Sequence, residues 1–454
     1  MENKRRLFIE CTHTYYNGGN SGIQRVVRNL ANHGLDMGGA ELEIKPIIWT
    51  GFGFCSLDSK IKVKPYFFAR LNRIVRRLLF HALHIHLLNP VLLKRKLAEK
   101  FGAAETISNE TASDEVKSSL KLELPYFLMG LLHNPINVLR GRFVNFRRGD
   151  IVALVDSTWR SHDMLEALAE AQSEQGIQVG AMFHDLFPLL LPETCEEITR
   201  RGYVDWFKRI VPMADFFITN SEATRDSLEK YLIEHPDLRE KKHQSGSFRL
   251  GAELDLVSSS NVNPGYLQPI WNTPGRALLT VGTIEPRKNH AFLLDVYDIL
   301  RQRDVNVSLI IVGRRGWKNT DIIERIERHE DFGTRLLHLA NAHDNDLAET
   351  IKRADCMVCP SIAEGFGLPV VEGLMQGLEM FASEIPSFVE IGKGHCHFFD
   401  LTSPESLADQ LEQWVRDKNM GVKVEKKDFQ WPNWEESTKE FVQIVLSLSD
   451  KTQA

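Results

Sequence analysis

Two acids and two adjacent cations carry the clearest chemical signal in the chain. In Glu364-Gly-Phe-Gly-Leu-Pro-Val-Val-Glu372 an apolar run (DCMVCPS) passes into a glycine-bearing loop, and Pro369 suits the first turn of a following helix. Gly365 and Gly367 let backbone amides approach a ligand without a Cβ in the way. Free N–H groups at the helix start suit a phosphate. The carboxylates stand eight residues apart and can accept hydrogen bonds from hydroxyls on different parts of one elongated ligand. A lone acid pair is more often a surface loop with a helix-capping acid; the composite of strand, glycines, proline and both acids favours a ligand site.

A second loop, Gly282-Thr-Ile-Glu-Pro-Arg287-Lys288-Asn289, follows the strand-like ALLTVG and precedes an amphipathic helix from His290 to about Arg301. Adjacent cations on a strand-end loop can neutralise a diphosphate, Arg bidentately, although alone they read equally well as a solvated basic helix cap. Near the N-terminus a polar turn (residues 17–22) leads from the strand RRLFIEC into a helix from Ile23 to about His33. That suits phosphate binding, but it is neither GxGxxG nor a P-loop. His184, at the end of QVGAMF, can donate to a sugar hydroxyl or assist proton transfer, with a satisfied structural histidine the equal alternative. Asn220-Ser221 ends ADFFIT, where Ser221 is equally an N-cap.

These loops need scaffolds. Apolar β-rich runs (also IKPIIWT, DIVALVD, VSLIIVG, RLLHLA and EMFAS) alternate with helical patterns such as Glu222 to Leu232, the signature of parallel α/β folding. A Ser/Asn/Pro/Gly-rich stretch, residues 258–275, divides two such series. The expected layout is an N-terminal domain (1–257), the linker (258–275), a C-terminal domain (276–430) and a C-terminal helix (431–454) returning to the first domain. A helical insertion, about residues 60–148, interrupts the N-terminal alternation. Two doubly wound Rossmann-like domains facing across a cleft would gather strand-end loops where such folds bind ligands.

With 454 residues, 43% hydrophobic and 26% charged, the chain reads as an ordinary two-domain globular protein. A net charge of −6 gives no reason to expect nucleic acid as a partner. No apolar stretch reaches the roughly 20 residues of a membrane-spanning helix, and the N-terminus lacks a secretory h-region. A cytoplasmic location follows. Cys356 and Cys359 form a CxxC inside an apolar run with no second ligand pair, which favours buried thiols over a metal or redox site. Between Lys60 and Lys100 eleven basic residues face one acid, Glu99, and Arg70, Arg73, Arg76 and Arg77 interleave with Leu71, Ile74, Val75 and Leu78. This pattern suits peripheral attachment to an anionic membrane as well as it suits an insertion helix with a solvated basic face.

Taken together, Gly282…Arg287-Lys288-Asn289, the Glu364–Glu372 element, Asn220-Ser221-x-x-Thr224 and Ser21-Gly22-Ile-x-Arg25 resemble the family 4 retaining nucleotide-sugar glycosyltransferases, which have the GT-B twin-Rossmann fold. The resemblance implies that Arg287 and Lys288 hold the donor diphosphate in place of a metal, and that Glu372 binds the ribose. It also implies that Glu364, with the backbone of Phe366, Gly367 and Leu368, orients the transferred sugar. Gly22 and Gly282 would flank the diphosphate, Asn220 would line the donor site, and His184 would contact the sugar from the acceptor side. The partners implied are a nucleotide-sugar donor, by likeness of FHDLFPLLLPE and VGRRGW to mannosyltransferases GDP-mannose, and a glycan or lipid-linked glycan acceptor of a bacterial-type surface polysaccharide such as O-antigen or lipopolysaccharide. No cofactor and no metal are expected; Asp344-Asn-Asp346 resembles a metal-binding DxD but precedes a helix and reads as a capping cluster. Glu379, Gly373 and Asn341 depart from the family pattern at what should be the edges of the site. Two rival readings are a GT-B sugar-nucleotide epimerase, which needs its own acid and base but no acceptor, and a catalytically silent glycan-binding homologue.

Overall fold

The computed structural model describes residues 4–51, 53–63, 143–159, 161–238, 243–253, 274–340, 342, 344–422 and 428–453. Most of the basic insertion, and the linker up to residue 273, lie outside them, as do Arg70 to Leu78 and Asn341.

The first sheet is built from β1 (Arg5–Glu10), β2 (Leu42–Trp49), β3 (Phe54–Ser56), β4 (Ile151–Leu154), β5 (Gln178–Phe183), β6 (Phe216–Thr219) and β7 (Gln244–Ser247). Its spatial order is β3-β2-β1-β4-β5-β6-β7, parallel except for β3, which runs antiparallel to β2. The second sheet takes β8 (Arg276–Val281), β9 (Val307–Val312), β10 (Leu336–Leu339), β11 (Cys356–Cys359), β12 (Glu379–Ser383) and β13 (Cys396–Phe399) in the order β10-β9-β8-β11-β12-β13, all parallel. The central strands, such as β5, β8 and β9, are largely apolar runs because helices cover both faces. In each sheet the order reverses beside the first strand, so a crevice opens at the carboxyl ends of β1 and β4 and of β8 and β11. This is the two-domain GT-B arrangement.

Three strands escape the sequence pattern. β3 has only three residues, β7 (QSGS) is polar, and β13 (CHFF) follows its helix closely. The polar turn near the N-terminus also differs from expectation, since a short helix (Thr12–Asn17) intervenes between β1 and the turn. The next helix runs Gly22–Met37 and opens on a capping box, in which Ser21 and Gln24 satisfy each other's backbone N–H. Such a box stabilises a helix by about 1 kcal/mol.

Cys356 and Cys359 are buried in β11, where burial pushes both thiols up. The helix Trp434–Gln453 lies against the first domain, beside the helix Gly22–Met37 and β7. Phe441 meets Phe248 edge-on at 5.2 Å, and the Trp431 indole donates to the Leu250 carbonyl at 2.7 Å. Among the described residues no helix is long and apolar enough to cross a membrane.

Candidate active site

Between the domains lies a cleft of about 620 Å³, and the eleven residues to which the sequence resemblance gives a role line it: Gly22, His184, Asn220, Gly282, Arg287, Lys288, Glu364, Phe366, Gly367, Leu368 and Glu372. The C-terminal wall is ionic. After β8 the chain makes a tight turn (Pro286–Lys288) and then turns left-handed at Asn289 (φ 54°), which aims both preceding cations inward. Arg287 Nη1 and Lys288 Nζ donate to the two oxygens of Glu364, each at 2.5 Å. Ser361 adds a third hydrogen bond at 2.7 Å. Burial alone would raise the Glu364 carboxyl, but Arg287 and Lys288 overcome it and hold the group at about 2. Glu364 is therefore an anion throughout the neutral range, with lone pairs left for a sugar hydroxyl.

Arg287 is more heavily engaged than sequence alone suggests. It also bonds Glu285 at 2.5 Å and the Ala363 carbonyl at 2.8 Å, and its guanidinium stacks 4.2 Å from the Phe187 ring centre of the other domain. Burial works against its charge, while Glu364, Glu285 and Asp185 together raise its pKa.

Gly367, at φ 130°, caps the helix Leu368–Met375. A Cβ there would come within 2.8 Å of the Phe388 ring, so the loop needs glycine on both counts. Pro369 is the second helical residue, and Glu372 sits in the next turn, 5% exposed. Its carboxylate is paired with Arg25 of the first domain, which also donates to the Glu253 carbonyl and lies over the Trp434 ring. That ion pair spans 347 positions of sequence, so no local pattern announces it.

The N-terminal wall adds detail to two expectations. His184 Nε2 lies 2.8 Å from the Val155 carbonyl. A carbonyl only accepts, so Nε2 carries a proton; burial lowers the pKa of the ring, and in the neutral imidazole Nδ1 is an acceptor. The ring faces the cleft able to take a hydrogen bond rather than give one. Asn220 lines the cleft, but its amide donates to the His184 carbonyl at 3.0 Å, which makes it a support of the neighbouring loop. Gly22 opens its helix with free space where a Cβ would be, and Gly282 packs against the stem of Lys288.

Asp185 went unmarked in the sequence. Burial, then Glu364 and Glu285 against the opposing pull of Arg287, push its carboxyl up to about 7. Two of the supposed edge residues, Glu379 and Gly373, have structural tasks instead. Glu379 pairs with Lys418 and His397 at the outer end of β12, and Gly373 leaves room for Met380 Sδ, 2.4 Å from where a Cβ would stand. Asp346 belongs to the first turn of the helix Asp344–Arg353. Among the described residues no group of three or more His, Cys, Asp or Glu side chains could hold a metal ion.

Residues 268–431 match the family described as "Glycosyl transferases group 1". That match takes in the C-terminal domain. The chain is 29% identical over 300 residues, 65% of its own length, to the serotype-specific mannosyltransferase WbdA of Escherichia coli. The match takes in 37% of that relative, so the chain spans little more than a third of its length. Over 142 residues it is 28% identical to a GDP-mannose:cellobiosyl-diphosphopolyprenol alpha-mannosyltransferase of Xanthomonas oryzae pv. oryzae, covering 31% of this chain and 37% of that one. Among solved structures, a sucrose-phosphate synthase from Thermosynechococcus elongatus superposes over 99% of this chain and 98% of its own, with a TM-score of 0.56 at 16% identity, a likeness of fold.

Proposed function

We propose that the chain is a retaining, metal-independent glycosyltransferase that moves mannose from GDP-mannose to a growing, lipid-linked surface glycan. One observation carries the reading. Arg287 and Lys288 converge on Glu364 at one part of the cleft, while Glu372 stands at another, and both parts open onto the same 620 Å³ space. A nucleotide sugar is an elongated molecule with a diphosphate between two polyhydroxyl rings, and this spacing of cations and acids complements it. The likeness to the polyprenol-linked mannosyltransferase favours GDP-mannose and a lipid-linked acceptor.

In the proposed step the bond from the sugar C1 to the donor phosphate oxygen breaks as the acceptor hydroxyl oxygen bonds C1 on the same face. The hydroxyl proton passes to the departing phosphate oxygen. Arg287 and Lys288 stabilise the charge that develops on the diphosphate, and Glu364 orients the sugar ring. His184 Nδ1 can accept from a sugar hydroxyl. Attachment of residues 60–100 to an anionic membrane surface would bring the acceptor within reach.

GDP release from GDP-mannose is the test, measured with and without a polyprenol-linked glycan. Release that rises only with acceptor, and is unchanged in EDTA, supports the reading; conversion of the sugar without acceptor favours an epimerase. Flotation with anionic liposomes checks the membrane component, which fails if binding is absent or survives Arg76→Glu with Arg77→Glu.

A further inference from the structure

Within the Asn220-Ser221-x-x-Thr224 element Asn220 lines the cleft and Thr224 a smaller neighbouring pocket, yet the proposed chemistry gives its hydroxyls no task. The structure shows where they go. Ser221 Oγ and Thr224 Oγ1, both buried, donate to one acceptor, the Gly365 carbonyl of the other domain, at 2.5 and 2.8 Å. At the same spot the His184 carbonyl passes 1.7 Å from where a Cβ on Gly365 would stand. That carbonyl is itself held by Asn220 Nδ2 at 3.0 Å. Farther out, Glu390 of the second domain accepts from the backbone N–H groups of Glu222 and Ala223, at 3.0 and 2.9 Å, and so caps the N-terminus of the helix Glu222–Glu234. Apart from the Asn220 hydrogen bond, which stays within the first domain, these contacts cross the domain boundary, and the first three converge on a single peptide, next to Glu364.

Gly365 is not among the residues with positive φ, so its own backbone does not demand glycine. What excludes a side chain is the other domain. Likewise Thr224, 4% exposed, spends its hydroxyl on the partner domain's backbone rather than on its own helix.

We propose that Ser221 and Thr224 are positioning residues: they form an interdomain clasp that fixes the Glu364-Gly365-Phe366 loop, so that the sugar-orienting carboxylate is aligned only while the two domains are engaged. The inference rests on the glycosyltransferase reading for its kinetic consequence, but the clasp itself can be measured without turnover. Thr224→Val is nearly isosteric and removes one buried hydrogen bond. It should lower kcat for GDP-mannose turnover about tenfold while leaving the Kd for GDP within about twofold, because the nucleotide-facing residues Glu372 and Lys288 are untouched. Thr224→Ser, which keeps the hydroxyl, should restore turnover. Gly365→Ala should be the stronger lesion, with kcat down by about a hundredfold or more, since one methyl holds the loop and His184 apart.

Hydrogen exchange decides the structural half. In both lesions, amides of residues 361–372 and 219–226 should exchange about tenfold faster than in the unaltered protein, with those of β8 and β9 unchanged. Exchange that stays at wild-type rates in Gly365→Ala, or rises uniformly through both domains, overturns the clasp. A fall in kcat accompanied by an equal loss of GDP affinity overturns it too, since it would make these residues part of general binding. Should the unaltered protein turn over no nucleotide sugar, the functional reading fails and the exchange comparison still judges the clasp.

Discussion

The two walls of the cleft are held by different forces. On the C-terminal side, Glu285, Arg287, Lys288 and Glu364 form a charged cluster whose ion pairs all lie within one domain, while the loop that carries Glu364 is held from across the gap by Ser221 and Thr224. On the N-terminal side the contacts across the gap are made by hydroxyls and by Arg25, which reaches over to Glu372, and the lining also includes the His184 imidazole and Asp185. The lesson is a division of labour: charge is prebuilt where a diphosphate would arrive, and weaker, shorter-range hydrogen bonds govern how the opposite wall meets it. Buried ion clusters are costly to rearrange, whereas single neutral hydrogen bonds contribute about 1 kcal/mol each and can open and close.

Breaking the charged wall should have the largest effect. Lys288→Ala or Glu364→Gln is expected to lower kcat about 10²–10³-fold, the range found for removal of one preorganised charge-stabilising group. A loss below tenfold would mean that the reacting centre lies elsewhere. The bridging ion pair comes next: Arg25→Met leaves the Glu372 carboxylate buried without that partner, and titration calorimetry should record GDP affinity about tenfold weaker. Unchanged affinity would separate the pair from nucleotide binding.

Asp185 supplies a pH-dependent contrast. Its folded value of about 7 lies above the ordinary carboxylate value, so the native state binds this proton more tightly than the unfolded chain does. The stability this proton supplies is complete below about pH 4 and is lost as pH climbs through about 7. Glu10, buried beside Asp156 and pushed up to about 8, acts in the same direction and remains in any Asp185 variant. Melting curves should therefore show Asp185→Asn gaining on the unaltered protein between about pH 5 and about pH 8. Parallel curves would remove Asp185 from the account. The smallest effect belongs to the exposed contact: Glu390→Gln keeps a carbonyl acceptor for Glu222 N–H and should change kcat by less than about twofold.

How legible this was depends on the range of each interaction. The long apolar runs at β1, β8 and β9 signal strands because strands covered on both faces must be apolar throughout. The loop residues could be singled out because parallel α/β topology sends every strand's end to the same side. β7, whose Gln, Ser and Gly carry no alternation, and β3, three residues long, leave no such trace. The pairing of Arg25 with Glu372, and the clasp of Thr224 on Gly365, depend on how two separately folded lobes face each other, which local pattern does not encode. Asp185 was passed over for a related reason. A carboxylate after a histidine is unremarkable until Glu364 and Glu285 are seen beside it.

The returning helix Trp434–Gln453 has one more consequence. Because it packs on the first lobe, the polypeptide passes between the lobes twice, once leaving after Glu253 and once coming back before Trp434. Two covalent crossings restrict how far one lobe can shift against the other more than a single crossing would, and Arg287, Lys288 and Glu364, bonded to one another on the second lobe, move with it as one body.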